Sequence, residues 1–274
     1  MSLKTLAAVT PRFCTILDVA TKFPKIVTES INLDQSDSPI SRYSYEIDAS
    51  IIDVTQEIYA ALKPTYSSYA NLLASTPWVG LIISDKQNSS PSSRLRACEA
   101  GASAITEMFS VDFSSATAYT VTGWLSGGLG SGTISTDFTA SGDGDILIKA
   151  ATNSGLFTGT FTTGDTIFIS VNKWNRTVST IATYLSTADV LKNIAFSTGI
   201  NIDPSIFERY ANHAKRILDR LQRPDDKDGY IMDGLPSQDL SDIQLGDWGE
   251  DLYDSFGQAD LDFFGNDDIG SYTI

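Results

Sequence analysis

His213 is the sole histidine of a 274-residue chain, so any proton transfer that needs an imidazole must run through it. It stands among Asn212, Lys215 and Arg216 on the polar side of an apolar-striped segment, which predicts a solvated surface side chain rather than a general base. Thiolate and imidazole metal chemistry lacks material: there is no Cys-x-x-Cys and no second histidine to complete a zinc set. No metal and no cofactor is expected.

Oxygen-ligand chemistry has more to draw on. Asp226, Asp228, Gly229 and Ile231 follow a helical segment at the spacing of part of a calcium-binding EF-hand loop. The ends fail, because Pro224 stands where the first carboxylate should be and Leu235 where the bidentate Glu should be. The pairs Asp143/Asp145 and Asp260/Asp262 have the look of Asp-Gly loops. Among 34 acidic residues many pairs could in principle cleave a glycosidic bond, but only their separation in space would identify one. Gly127, Gly128, Gly130 and Gly132 invite a phosphate-loop reading; with no Lys-Ser/Thr following, a mobile loop or hairpin tip is the expectation. No catalytic residue is assigned.

Charge is more informative than any motif. From Asp225 to Ile274 there are 14 acidic residues and one basic residue, Lys227; the remaining 224 residues hold 34 − 14 = 20 acidic and 19 − 1 = 18 basic groups. A nearly neutral body with a strongly anionic tail is repelled by phosphate backbones, which disfavours groove-reading nucleic-acid binding. The tail also carries Trp248, Tyr253, Phe256, Phe263 and Phe264. A purely solvating tail needs no aromatics, whereas a segment that orders on a partner uses them as anchors, so these five are the expected partner-binding residues.

Composition adds two expectations. No run approaches the ~20 apolar residues that cross a bilayer, and Met1 to Thr10 lacks a secretory pattern, so the chain is expected to be made in a cytosol and to have no membrane partner. Cys14 and Cys98, far apart in unlike contexts, then read as reduced and buried, and the sequons at Asn88 and Asn175 as chance matches.

These residues must be positioned by a mixed α+β chain. Thr15 with Asp18 resembles a capping box opening a short helix, with Ile16, Leu17, Val19, Ala20 and Phe23 apolar and Pro24 closing it. Asn32 to Arg42 reads as a loop leading into a helix over 44–62, where Ile47, Ile51, Val54, Ile58 and Leu62 form one stripe before Pro64. A strand is expected at Trp78 to Ile83. Ser93 is placed as the cap of a helix over 94–109, packed closely through Ala100, Gly101 and Ala104.

From Val111 to Val171 the composition turns to Thr, Ser and Gly and the apolar period drops to about two. Strands are expected over 117–124, 145–150, 156–162 and 166–171, with Gly164-Asp165 as a hairpin turn between the last two. Helical period returns after Asn175, with Val178, Ile181, Leu185, Ala188 and Leu191 on one face up to about Phe196. A last helix is marked by Asp203 as N-cap and Pro204 as first helical residue, with Phe207, Tyr210, Ala214, Ile217 and Leu221 as its stripe and Pro224 as its stop. The expected divisions are 1–110 and 173–224 for a two-part small helical bundle, 111–172 for an inserted antiparallel β domain, and 225–274 for an extended acidic C-terminal tail.

The runs Phe13-Cys14-Thr15-Ile16-Leu17-Asp18-Val19 with Phe23-Pro24, Tyr45-Glu46-Ile47-Asp48-Ala49-Ser50-Ile51 and Ala60-Ala61-Leu62-Lys63-Pro64 resemble the head-tail connector (adaptor) proteins of tailed bacteriophages. Gly159 to Phe168 running into Ile181 to Ala188 is similar to the strand-to-helix passage of connectors with a β insertion, and Glu208 to Leu221 to the family's last helix. The likeness spans roughly residues 12 to 223, as a series of weak motifs with no catalytic signature; the long acidic tail departs from the pattern. It implies a structural virion protein in the neck, a homo-oligomeric, twelvefold ring between portal and tail. The implied partners are the portal protein, tail or head-completion proteins, neighbouring copies, and genomic DNA as a passing polymer in the channel, with no enzymatic activity. Acidic residues facing that channel would keep the genome from sticking.

Two other classes compete. A ligand- or carbohydrate-binding module would use Trp124 and Tyr119 on the β insertion. A hydrolase would need two carboxylates facing each other in a cleft.

Overall fold

A computed structural model describes residues 10–23, 39–85, 94–95, 98–140, 144–150, 157–158, 160–199 and 201–222. The acidic segment, its five aromatics and the Asp226 to Ile231 spacing therefore lie outside the described residues, as do Asp143 and the Asp260/Asp262 pair.

The α+β class holds, with helices and antiparallel sheets side by side in one chain. Helix α1 (Ile16–Ala20) opens with the expected capping box: the Thr15 hydroxyl accepts from the Asp18 amide and the Asp18 carboxylate accepts from the Thr15 amide. Helix α2 spans Pro39–Leu62, about a turn longer at its start than the Asn32–Arg42 loop reading allowed. Pro39 takes its first position, where proline's missing N–H costs nothing and its fixed φ is already helical. The stripe Ile47, Ile51, Val54, Ile58 and Leu62 is buried along its whole length.

Helix α3 (Arg176–Thr198) is capped by Asn175, whose side chain accepts from the Thr177 amide, and ends on Gly199 in the left-handed region at φ 68°. A single apolar stripe understates it. Ser179, Thr183, Ser186 and Thr187 are buried as well as Val178, Ile181, Ala188 and Leu191, because α1, α2 and the last helix all pack against it. The Thr183 and Thr187 hydroxyls donate to the carbonyls of Ser179 and Thr183, at 2.8 and 2.7 Å, so these positions hide hydroxyls without orphaning them. Helix α4 (Pro204–Leu221) starts as the sequence predicts, with Asp203 accepting from the Ser205 amide and Pro204 at the first turn. It buries Ala214, Ile217 and Leu221.

The β part begins earlier than expected. Strand β1 (Leu73–Asp85) pairs with β10 (Thr166–Trp174), which pairs in turn with β4 (Glu107–Phe113), β4 with β5 (Ala118–Gly123), and β5 with β6 (Gly127–Thr133). The boundary placed between 110 and 111 thus falls inside β4. The helix expected over 94–109 does not form: β2 (Arg94–Leu95), β3 (Glu99–Ala100) and the start of β4 occupy it. Leu95, Cys98, Ala104 and Phe109 do share one apolar environment, but it is the core of the sheets. Alternate burial of Phe109, Val111 and Phe113 carries the period of two that decides for strand. The small residues serve a turn instead of a helix seam: a Cβ on Gly101 would sit 2.0 Å from the Asp145 carboxylate, whose Oδ2 accepts from the amide and hydroxyl of Ser103.

Two smaller pairings complete the core, β2 with β9 (Phe157–Thr158), and β3 with β8 (Ile146–Ile148), which also pairs β7 (Phe138–Thr139). The expected hairpin across Gly164-Asp165 is therefore half right. Gly164 does turn at φ 95°, and buried Asp165 closes the turn by accepting from the Thr162 amide at 2.7 Å. The strand before it, however, pairs with β2 and not with β10, because Phe157 and Phe161 are drawn into an aromatic cluster with Phe113 and Tyr119.

Of the two expectations for the glycine run, the hairpin holds and the mobile loop does not: the run forms strand β6, which begins at the β5–β6 hairpin end. Gly132 pairs with Tyr119 in register, and a Cβ on Gly132 would come 2.7 Å from the Tyr119 ring, so the glycine lets that ring lie across the neighbouring strand. At the hairpin end, Gly127 turns at φ 75° and the buried Glu107 carboxylate accepts from the amides of Leu125 and Ser126 at 2.8 and 3.0 Å.

Candidate functional site

Strand β10 joins the two halves of the molecule, and its alternation shows how. Ile167, Ile169 and Val171 belong to the core of the sheets. Ser170 and Asn172, on the opposite face, are fully buried against α1 and α3.

Asp18 receives both. The Ser170 hydroxyl donates to Asp18 Oδ1 at 2.7 Å and the Asn172 amide to Asp18 Oδ2 at 3.1 Å, while the Thr15 hydroxyl reaches Ser170 at 3.1 Å. Ser179 of α3 closes the set, its hydroxyl 3.5 Å from Asn172 Oδ1. A carboxylate held by three donors, the Ser170 hydroxyl, the Asn172 amide and the Thr15 backbone amide, in a site this dry is a structural clasp. Sequence reading saw Asp18 only as a capping residue; the missed signal was a pair of small polar residues, Ser170 and Asn172, at alternate positions of an otherwise apolar strand.

A second tie binds the segment before α1 to α2. Arg12 lays its guanidinium two-pronged on Asp48, with Nε 2.6 Å from Oδ1 and Nη2 2.9 Å from Oδ2. Phe13 packs edge-on against Trp174 at the end of β10, with centroids 4.8 Å apart. Between them Cys14 is wholly buried and free, and burial, then the charge of Asp18, pushes its thiol well above the ordinary value. Cys98 is likewise free and buried, its thiol pushed up to about 12 by burial and by Glu99. Both cysteines are reduced core residues, as expected from their spacing.

His213 is not the solvated side chain that its polar neighbours predicted. It is half-buried, edge-on to Tyr184 of α3 at 4.9 Å, and Tyr184 stacks on Tyr210 at 5.7 Å. Burial lowers its pKa, and the positive charge of Arg216 lowers it further. Lys22 sits over the same Tyr184 ring at 5.8 Å, and the Tyr210 hydroxyl donates to the Lys22 carbonyl at 2.9 Å. The imidazole packs among aromatic rings with cations close by. The exposed charge here is mostly positive, Lys22, Arg209, Arg216 and Arg220, with Glu208 and Asp219 exposed on the adjoining flank of α4.

The residues nominated for ligand binding part company. Tyr119 is in the core, its hydroxyl pushed up to about 12 by burial and by Asp137, so it cannot meet a ligand. Trp124 is half-buried and edge-on to Tyr45 of α2 at 5.2 Å, where Tyr45 is 79% exposed. That pair links the β5–β6 turn to the start of the helical bundle. Among the described residues no group of three or more His, Cys, Asp or Glu could hold a metal ion, and no helix is long and apolar enough to cross a membrane.

No protein-family model and no curated protein matches the chain. Among solved structures it is similar to FlgL of Xanthomonas campestris in two crystal forms. One is 14% identical, with 57% of this chain and 52% of that chain covered; the other is 12% identical, with 81% and 86% covered. The first alignment thus spans about half the length of that FlgL chain. Both have a TM-score of 0.24, too low for any argument from shape.

Proposed function

We propose that the chain is a structural subunit of a tailed-phage neck, a head-tail connector that assembles as a ring between portal and tail and performs no chemistry of its own. One observation carries the reading. The striped segments on both sides of the β-rich stretch, α1 and α2 before it and α3 and α4 after it, pack on one another as a single bundle. That is the arrangement a connector with a β insertion requires, and separately folded helical units would have ended the reading.

The acidic residues of the β part support the absence of catalysis. Glu107, Asp145 and Asp165 close turns through backbone amides, and Asp112 holds the Thr166 hydroxyl at 2.8 Å. Carboxylates committed to such bonds are framework, not an acid and base facing across a cleft. Partners in this reading are the portal protein, head-completion or tail proteins and copies of the same chain, with genomic DNA passing through the channel. Trp248, Tyr253, Phe256, Phe263 and Phe264 remain the proposed anchors on those partners.

The test is a mass measurement of the purified chain, alone and with portal protein. A closed multimer in either sample is the expected result. A chain that stays monomeric in both samples over the whole accessible concentration range overturns the reading.

A further inference from the structure

The acidic segment has a complementary surface on the body, and it is one helix face. On α4, Arg209, His213, Arg216 and Arg220 recur at steps of four, three and four, which places them in one stripe about 16 Å long at 1.5 Å per residue. The three arginines are exposed, and Lys22 adds a fourth cation beside Tyr184. The buried residues of the same helix, Ala214, Ile217 and Leu221, lie about a quarter turn round the axis from the stripe.

We propose that this basic stripe is the docking face for the acidic segment 225–274 of a neighbouring copy of the chain.

Charge complementarity carries the proposal. The segment holds 14 acidic residues against one basic, while the rest of the chain is nearly neutral at 20 against 18, so positive charge gathered in one stripe is a local feature and not a general excess. A guanidinium has five N–H donors, so an arginine that already bonds within its own chain keeps donors for a second carboxylate. The half-buried Tyr184, Tyr210 and His213 rings beside the stripe give the segment's Trp248, Tyr253 or Phe256 an aromatic surface next to the cations.

The choice of a neighbouring copy rests on the ring reading; the choice of the stripe does not.

Full-length chain is prepared in light and 15N-labelled forms, mixed, and treated with a carbodiimide that couples carboxylates to amines without a spacer. Lys22 and Lys215 are the exposed amines on and beside the stripe. Expected are mixed-isotope links between carboxylates of 225–274 and these lysines. Their yield should fall at least about tenfold in an R209E/R216E/R220E variant and fall with added salt.

The three positions are exposed, and a thermal melt of the variant verifies that it is folded. Links found only within one isotope form would mean self-docking and overturn the neighbour; a yield indifferent to the reversal overturns the stripe. Closed multimers with an unchanged link pattern sink this inference alone. Mixed links in a chain that never closes a ring sink the connector reading and leave the docking face standing.

Discussion

Asp18 and Ser170 are 152 residues apart and share a hydrogen bond of 2.7 Å in the interior, so the first short helix is clasped to the strand that leads into the helical return. This contact commits the two halves of the bundle to one unit. It gives α1, only five residues long, a reason to be ordered that its own length does not supply.

Asp18→Ala should therefore lower unfolding free energy by about 3 kcal/mol, since it strands the Ser170 and Asn172 donors and removes half of a capping box. Urea melts of D18A, S170A and the double variant measure this. The double variant should be at least ~1 kcal/mol more stable than the sum of the singles predicts; simple additivity would show the clasp to be absent.

Gly132→Val should cost about 1–3 kcal/mol, because its Cβ would sit 2.7 Å from the Tyr119 ring in a packed core. Shrinking the ring with Tyr119→Leu in the same chain should return part of that loss. A G132V chain melting with wild type would mean that the ring does not lie over the glycine.

Neither cysteine should react with a thiol reagent in the native protein at neutral pH, since both are buried and both thiols are pushed up. In denaturant two thiols per chain should appear. Fast labelling of Cys14 without denaturant would contradict its burial between Arg12 and α3.

His213 should make stability depend on pH. Its folded pKa is lowered by burial and by Arg216, so the unfolded chain holds the proton more tightly. The resulting contribution is present above the ordinary histidine value and is lost as pH falls through the lowered one. Melting temperatures of wild type and His213→Gln, compared from about pH 5 to about pH 8, should diverge across that window. A constant difference between the two would place His213 in solvent.

Deleting residues 225–274 should weaken multimer and particle assembly, because it removes the five proposed anchors Trp248, Tyr253, Phe256, Phe263 and Phe264. Electron microscopy of particles made with the deleted chain measures this. Normal, infectious particles would count against the segment as an anchor.

What could be read from the chain directly was whatever is decided within three or four residues. The Thr15/Asp18 capping box, the α2 stripe from Ile47 to Leu62, the Asn175 boundary and the Asp203-Pro204 start of α4 all express local sterics and hydrogen bonding, and all stand in the structure. The buried, unpaired cysteines followed from their spacing in the same way. Tertiary structure alone decided the rest. Leu95 to Phe109 carries apolar residues compatible with either a helix or strands, and the pull of the Phe113–Phe161 core chose strands. Small polar residues such as Ser170 and Asn172 have no pattern of their own; their meaning appears only when a carboxylate from the other end of the chain is brought within bonding distance. Periodicity encodes which face of an element is buried, and it is silent about which partner does the burying.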